Sequence, residues 1–265
     1  MARLSIGRAW DETKAVLGRD RGLIATVALA LMVLPGAIGE VVVPASTSGS
    51  SPDLGWSSVT LLILLVTILG QLTIARIALG RRQSVGEAMA HGVRRSPSFL
   101  LATILWLLPF VLLAAPFAVQ VQANPQAPPP GALLPLFAIT LVFLFVAVRM
   151  IFSTAVSVAE NVGPLAILRR SWALTAGSWW RLFGFLMLFM ITAVIALGAV
   201  TAVVGVVVGL ISGEPERLSV GSLVNALVGQ TVAAIITVLL TVMLTRLYLQ
   251  VAEPADEPVS VPHAP

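Results

Sequence analysis

Six long apolar segments dominate the chain and determine its fold class. A helix of about 20 residues crosses roughly 30 Å of hydrocarbon, and helix is favoured because a spanning segment must satisfy its own backbone hydrogen bonds. Charged residues make up only 11% of the 265 residues, against roughly 25% in a soluble domain. The sequence predicts an all-α polytopic membrane protein with spans at about Leu23–Val43, Trp56–Leu79, Phe99–Gln120, Ala132–Phe152, Leu182–Ile211 and Val220–Leu244.

The basic residues indicate the orientation of these spans. Fifteen of the 16 lysines and arginines lie before span 1, between spans 2 and 3, between spans 4 and 5, or at the end of span 6, and only Arg217 lies in an opposite loop. Because basic loops favour the cytoplasmic side, both termini are predicted to be cytoplasmic, in a bacterial inner (plasma) membrane. The acidic, proline-rich residues 253–265 are predicted to be a disordered tail.

Each odd-numbered span follows a similar segment, which predicts a threefold internal repeat. The Ser84 and Glu87 pair has the spacing of a capping box, and Asn161 is predicted to cap the third segment with Pro164 in its first turn. The domain 1–252 would then contain three two-span units at about 1–80, 81–159 and 160–252. The three segments begin Ser5-Ile6-Gly7, Ser84-Val85-Gly86 and Asn161-Val162-Gly163.

The segments before the spans have an amphipathic pattern, which predicts helices lying in the headgroup plane on the cytoplasmic side. Basic residues there attract anionic lipid, at roughly 1 kcal/mol each, and tryptophan favours the membrane interface. The predicted apolar faces are Ile6, Trp10, Thr13 and Leu17 in the first segment, and Leu165, Leu168, Trp172 and Thr175 in the third. The predicted interface anchors are Trp10, Arg169, Arg170, Trp172, Trp179, Trp180 and Arg181.

The third segment carries the string LRRSWALTAGSWWRLF at residues 168–183. It resembles the S-W-x-L-T-x-G-x-x-W-R pattern of the bacterial membrane-domain family that is fused to some glycerophosphoryl diester phosphodiesterases, and YciC-like inner-membrane proteins are similar. In the fused proteins a separate soluble domain carries the chemistry, and the chain ends about nineteen residues after Arg246, which leaves no room for one. The resemblance therefore implies an integral membrane module without that catalytic domain, with a role near lipids.

One arginine lies near the same end of each even-numbered span: Arg76, Arg149 and Arg246. A charge in an apolar span is costly and suggests a functional role. Guanidinium groups bind phosphate bidentately, so three arginines that converge on an axis would form an anion or lipid-headgroup site at the inner leaflet. The alternative is that each side chain extends to the interface or pairs with a neighbouring helix.

Other polar residues in the spans have two interpretations. Hydrogen bonding between helices explains them, and so does a transport pathway. Glu40 is expected at the outer interface, with a transporter's proton site as the alternative, and Glu160 is expected to pair with an arginine. His91, four residues after Glu87, is expected on a solvated face. The remaining candidates within spans are Gln71, Thr73, Asn225 and Gln230.

The sequence offers little for catalysis. There is no cysteine, no histidine or lysine lies in a predicted span to activate a serine, and no nucleotide-binding glycine motif occurs. We expect no enzyme activity, no cofactor, no metal and no nucleic acid. The expected function is a non-enzymatic, lipid-interacting protein of membrane homeostasis whose partners are membrane lipids, preferentially anionic. A small-molecule or lipid transporter is the first alternative, and a scaffold subunit for an unidentified protein partner is the second.

Overall fold

The computed structural model describes residues 4–42, 54–80, 84–212 and 219–252, and every regular element in them is a helix. Six helical stretches are long and apolar enough to cross a membrane, which confirms the predicted all-α, multi-pass class. The predicted tail 253–265 lies outside the described residues. The elements are α1 (Ile6–Ala28), a π-helical turn (Leu29–Val33), α2 (Leu34–Val42), α3 (Leu54–Ala78), α4 (Val85–Ala123), α5 (Pro130–Arg149), α6 (Ser153–Ala159), α7 (Pro164–Leu174), α8 (Trp179–Ser212) and α9 (Val220–Ala252).

The first span is one rod with two irregularities. Asp20 leaves the helical region with φ −109° and ψ 19°, which kinks α1 between its amphipathic start and its apolar remainder. Further on, the N–H of Leu34 donates to the carbonyl of Leu29, five residues back. Proline has no N–H and crowds the carbonyl four residues before it, so a widened turn directly before Pro35 accommodates that residue without ending the rod.

Helix starts follow the sequence in two places and depart from it in a third. Ser84 caps α4, since its hydroxyl accepts from the N–H of Glu87 and its own N–H donates to the Glu87 carboxylate, which confirms the predicted capping box. Pro164 occupies the first turn of α7, as predicted, but the capping position is Gly163. The prediction that Asn161 caps this helix is wrong, because its side chain accepts a hydrogen bond from Arg95 instead.

Helix α9 is the central element of the bundle. It packs against α1, α2, α3 and α8 along its length and against α6 and α7 near its end. Two clusters of buried apolar residues follow it: one includes Val27, Ile74 and Val242, and the other includes Phe152, Ile167 and Leu247. Helices α4, α5 and α8 bury smaller shares of their most apolar segments than α1, α3 and α9, so their outer faces are available to lipid.

The protein-facing sides of the amphipathic helices differ from the predicted apolar faces. In α1 the buried stripe is Ala9, Thr13 and Val16, so only Thr13 of the predicted face is buried. In α7 the buried residues are Ile167, Ser171 and Leu174. Of the predicted faces, Thr13 and Thr175 are buried, whereas Trp10, Leu165 and Trp172 are exposed.

Replacing a fully buried side chain of α9 tests this packing. Leu247→Ala should lower the free energy of unfolding by about 2–5 kcal/mol because it leaves a cavity in a close-packed cluster. Leu223→Ala on the same helix removes the same atoms from an exposed position. It should change the free energy of unfolding by less than about 0.5 kcal/mol. Thermal or denaturant unfolding of purified protein measures both, and equal losses would contradict the central position of α9.

Candidate functional site

Arg76, near the end of α3, is buried, and its Nη1 donates to the backbone carbonyl of Val158 at 3.3 Å. Val158 lies in the last turn of α6, where carbonyls lack partners within the helix. A cation is favourable at such a helix C-terminus because the aligned peptide dipoles place partial negative charge there. Arg76 thus links α3 to the C-terminal end of α6 through a hydrogen bond.

Further polar side chains meet at the C-terminal end of α6. We call residues 158–161, together with the side chains that hydrogen-bond to them, the α6-end cluster. The ring Nε2 of His91 lies 3.0 Å from the carbonyl of Val158. Glu160 Oε1 accepts from Arg170 Nε at 2.9 Å and from the hydroxyl of Tyr248 at 2.8 Å. With the Arg95–Asn161 hydrogen bond, helices α3, α4, α7 and α9 all attach to this short segment.

The contacts of the α6-end cluster test two expectations that were drawn from the sequence. Glu160 pairs with an arginine, as expected. The expected solvated face for His91 is wrong, because its side chain is half-buried against the end of α6. The sequence could not show this, since His91 and Val158 are 67 residues apart.

Arg149 lies in an aromatic setting on the other side of the bundle. Its guanidinium carbon is 5.4 Å from the ring centre of Phe145 and 5.0 Å from that of Trp172, both within cation–π range. Its Nη1 donates to the carbonyl of Trp172 at 3.5 Å, and its own carbonyl accepts from Ser171 Oγ at 2.8 Å. These contacts attach α5 to α7.

Arg246 of α9 lies beside α1 and the turn after α3. Its Nη2 is 3.4 Å from where a Cβ at Gly80 would be, and Gly80 needs to be glycine because its φ is +82°. The side chain of Arg246 is half-buried, and its Nε has no hydrogen-bond partner within the described part of the chain.

Each of the three arginines lies against a different element: Arg76 meets α6, Arg149 meets α7, and Arg246 lies beside the turn after α3. The hydrogen bonds of Arg76 and Arg149 link helices, whereas Nε of Arg149 and Nε of Arg246 are buried without a hydrogen-bond partner among the described residues. Binding of an anion by any of them stays a prediction.

The predicted interface anchors lie mostly on the surface. Trp180 is 77% exposed and Trp10 43%. Trp179 is half-buried, stacks on Phe183 at 5.0 Å between ring centres and donates from Nε1 to the carbonyl of Phe145. The remaining anchors are exposed: Arg169, Arg170, Trp172 and Arg181.

Two apolar grooves run along α9 and share Ile235 and Leu239 as a common ridge. The α1–α9 groove has a volume of about 450 Å³, and Arg21 lies at the end nearest the arginines. The α8–α9 groove has a volume of about 610 Å³ and ends at Trp10. The first groove is lined further by Leu17, Ile24, Ala25, Ala28, Leu29, Val33, Thr231, Ala234 and Val238.

A polar cavity of about 450 Å³ lies between α2, α3 and α9, toward the opposite end of the bundle. Glu40 and Gln230 line it, and Gln230 Nε2 donates to Glu40 Oε2 at 3.2 Å. Gln71 and Asn225 are not among its lining residues, so this cavity does not bring the three polar residues together. Thr73 is buried and donates to the carbonyl of Leu69.

Sequence reasoning missed the grooves and the position of Arg21 at the end of one of them. Arg21 was one of five basic residues before span 1, and nothing local distinguishes it from the others. The position of Arg21 at the end of an apolar groove depends on the packing of α1 against α9, which the sequence does not show.

The chain belongs to the DUF7847 family, a domain of unknown function whose family model matches residues 5–251. No curated protein and no solved structure matches it significantly.

A double-mutant cycle tests the α6-end cluster. Tyr248→Phe removes a hydroxyl that donates to Glu160, so we expect a loss of about 1–3 kcal/mol, because a hydrogen bond to a charged group is stronger than average. In the background of Glu160→Gln the same change should cost less, with a coupling of about 0.5–3 kcal/mol. Unfolding of the four proteins measures this, and additive losses would contradict a shared cluster.

Proposed function

We propose that the protein is a non-enzymatic membrane protein that binds a glycerophospholipid in the leaflet at its basic end. The observation that carries this proposal is the α1–α9 groove, which combines an apolar trough with a guanidinium at one end. A phospholipid has the matching distribution, with an apolar chain below a phosphate. A role in membrane homeostasis follows from such binding.

Arg21 suits the phosphate of the headgroup. It is exposed, and within the described part of the chain its guanidinium forms no hydrogen bond or ion pair. Arg19, two residues earlier, is instead occupied by a bidentate contact with Asp20. Guanidinium presents paired donors that match phosphate oxygens, so Arg21 is the cation available at the groove.

The dimensions suit acyl chains. From Arg21 to Val33 the helix rises roughly 18 Å, and from Phe185 to Ala196 along the second groove it rises roughly 16 Å. Both grooves end beside the amphipathic part of α1, one at Arg21 and the other at Trp10. Two chains of one lipid would lie on the two sides of the Ile235 and Leu239 ridge, below a headgroup over α1.

The surrounding architecture belongs to the same proposal. The basic end would face the cytoplasm of a bacterial cell, with both termini on that side. The amphipathic start of α1 and helix α7 would lie in the headgroup plane, with their exposed tryptophans as anchors, preferentially among anionic lipids. The threefold repeat of two-span units that the sequence predicts, and the resemblance to the phosphodiesterase membrane domains, support an integral module of this kind.

Native mass spectrometry with added phosphatidylglycerol tests the lipid site. The wild-type protein should retain the lipid, and Arg21→Gln should weaken retention about tenfold, because a charge-assisted hydrogen bond to phosphate is lost. Arg94→Gln removes an equal charge from an exposed position on α4 and should have little effect. Equal losses in the two variants would contradict a site at Arg21.

A second pair of variants tests the groove independently of charge. Ala25→Phe places a ring in the α1–α9 groove and should reduce lipid retention while the charge stays constant. Ala138→Phe puts the same ring on the exposed face of α5 and should not. Retention that survives Ala25→Phe would show that the lipid binds elsewhere.

Single cysteines test the proposed orientation, because the chain contains no cysteine of its own. Ala173→Cys lies exposed on α7 at the basic end, and Asn124→Cys lies exposed between α4 and α5 at the other end. In right-side-out vesicles an impermeant maleimide should label only Asn124→Cys, and in inside-out vesicles only Ala173→Cys. The reverse pattern would contradict a cytoplasmic basic end.

A further inference from the structure

The polar cavity between α2, α3 and α9 lies away from the arginines and plays no part in the lipid site. Its lining extends from Met32 in the π-helical turn to Glu40 near the end of α2, roughly 12 Å along the helix axis. Glu40 supplies the carboxylate of this lining, and its side chain is exposed near the end of α2. The lining residues are Met32, Gly36, Gly39, Glu40, Thr60, Ile63, Thr67, Gln230, Ala233, Ala234 and Thr237.

The carboxylate and its partner are held by close helix packing. A Cβ at Gly36 would lie 2.5 Å from Oε1 of Gln230, so a side chain there would displace the carboxamide from this position. The carboxamide then reaches across from α9 and donates to Glu40 at 3.2 Å. Gly39 likewise lets Ile63 of α3 approach, since a Cβ there would be 2.6 Å from the Ile63 Cδ1.

The lining presents hydrogen-bond acceptors. The hydroxyl of Thr67 donates to the carbonyl of Ile63, and that of Thr237 donates to the carbonyl of Ala233. Each hydroxyl oxygen therefore offers its lone pairs to the cavity, since its proton is already used. Together with the carboxylate of Glu40, this lining favours a ligand that is positively charged and carries donors. The residues that line the cavity include no basic side chain.

The size of the cavity selects among such ligands. A volume of about 450 Å³ falls within the roughly 300–1,000 Å³ of sites for small organic molecules. It is far larger than the roughly 30 Å³ of one water molecule, so a bare ion would leave most of it to solvent. Met32, Ile63 and Ala234 supply apolar surface for the carbon part of a ligand.

We infer that this cavity binds a small organic ammonium compound, with its N–H donors on Glu40 and the threonine hydroxyls and its carbon part on Met32 and Ile63. The carboxamide of Gln230 fixes the position of the carboxylate by donating to one of its oxygens. Because the site lies at the end where α2 ends and α3 begins, the ligand would enter from the side of the membrane opposite the proposed lipid headgroup.

Isothermal titration of the full-length protein in detergent tests this with three probes of nearly equal shape and different charge. They are 2-phenylethylammonium, neutral 2-phenylethanol and anionic phenylacetate. We expect the ammonium to bind at least about tenfold more tightly than the alcohol, because only the ammonium carries a charge opposite to that of the Glu40 carboxylate, and we expect phenylacetate to bind most weakly. Equal binding of ammonium and alcohol would overturn the inference.

Variants assign the preference to the cavity. Glu40→Gln should remove the preference of ammonium over alcohol, and Thr237→Val should reduce it several-fold while the shape of the side chain is kept. Asp11→Asn removes an exposed carboxylate on α1 and should leave the preference unchanged. If Glu40→Gln does not fold, the Thr237→Val result decides the matter. If Glu40→Gln or Thr237→Val leaves the preference for ammonium over alcohol unchanged, the inference is overturned. The inference is also overturned if the protein shows a heat of binding with sodium chloride but none with 2-phenylethylammonium.

Discussion

Hydrocarbon offers no hydrogen-bond partner, so each polar group that enters the membrane must find one within the protein. This constraint explains why every described regular element is a helix and why the end of α6 is so densely connected. The last backbone carbonyls of α6 have no hydrogen-bond partner within the helix, so other side chains must supply one. Arg76 and His91 meet the Val158 carbonyl, and Tyr248 and Arg170 meet Glu160, so one helix end joins four others.

The same constraint separates structural charges from available ones. Arg76 and Arg149 contact neighbouring helices, and Arg246 lies beside the turn after α3. Arg21 is exposed at the end of an apolar groove, and Glu40 lines a cavity with one carboxamide as its partner. Our proposals place ligands at Arg21 and Glu40 because each of these charges lies beside a groove or cavity that is large enough for a ligand.

The sequence predicted what depends on local or periodic features. Apolar length located the six spans, the spacing of Ser84 and Glu87 predicted the capping box, and Pro164 marked the first turn of α7. Contacts between distant segments could not be predicted in this way. Asn161 has the composition of a cap, yet it accepts from Arg95, and the Glu40–Gln230 hydrogen bond joins residues 190 positions apart.

The amphipathic helices show a similar limit. Periodicity identifies two sides of a helix, but it does not say which side faces protein when lipid is also apolar. In α1 the buried side carries Ala9, Thr13 and Val16, in α7 it carries Ile167, Ser171 and Leu174, and Trp10 and Trp172 are exposed. The neighbouring helices determine which side is buried, and the pattern within one helix does not show where those neighbours lie.

The most direct test of the lipid site is an electron cryo-microscopy structure of the protein in nanodiscs that contain phosphatidylglycerol. The account predicts density for a headgroup within hydrogen-bond distance of the Arg21 guanidinium, and for two chains on either side of Ile235 and Leu239. Grooves without ordered density, or a headgroup bound instead at Arg149 among its aromatic neighbours, would contradict it.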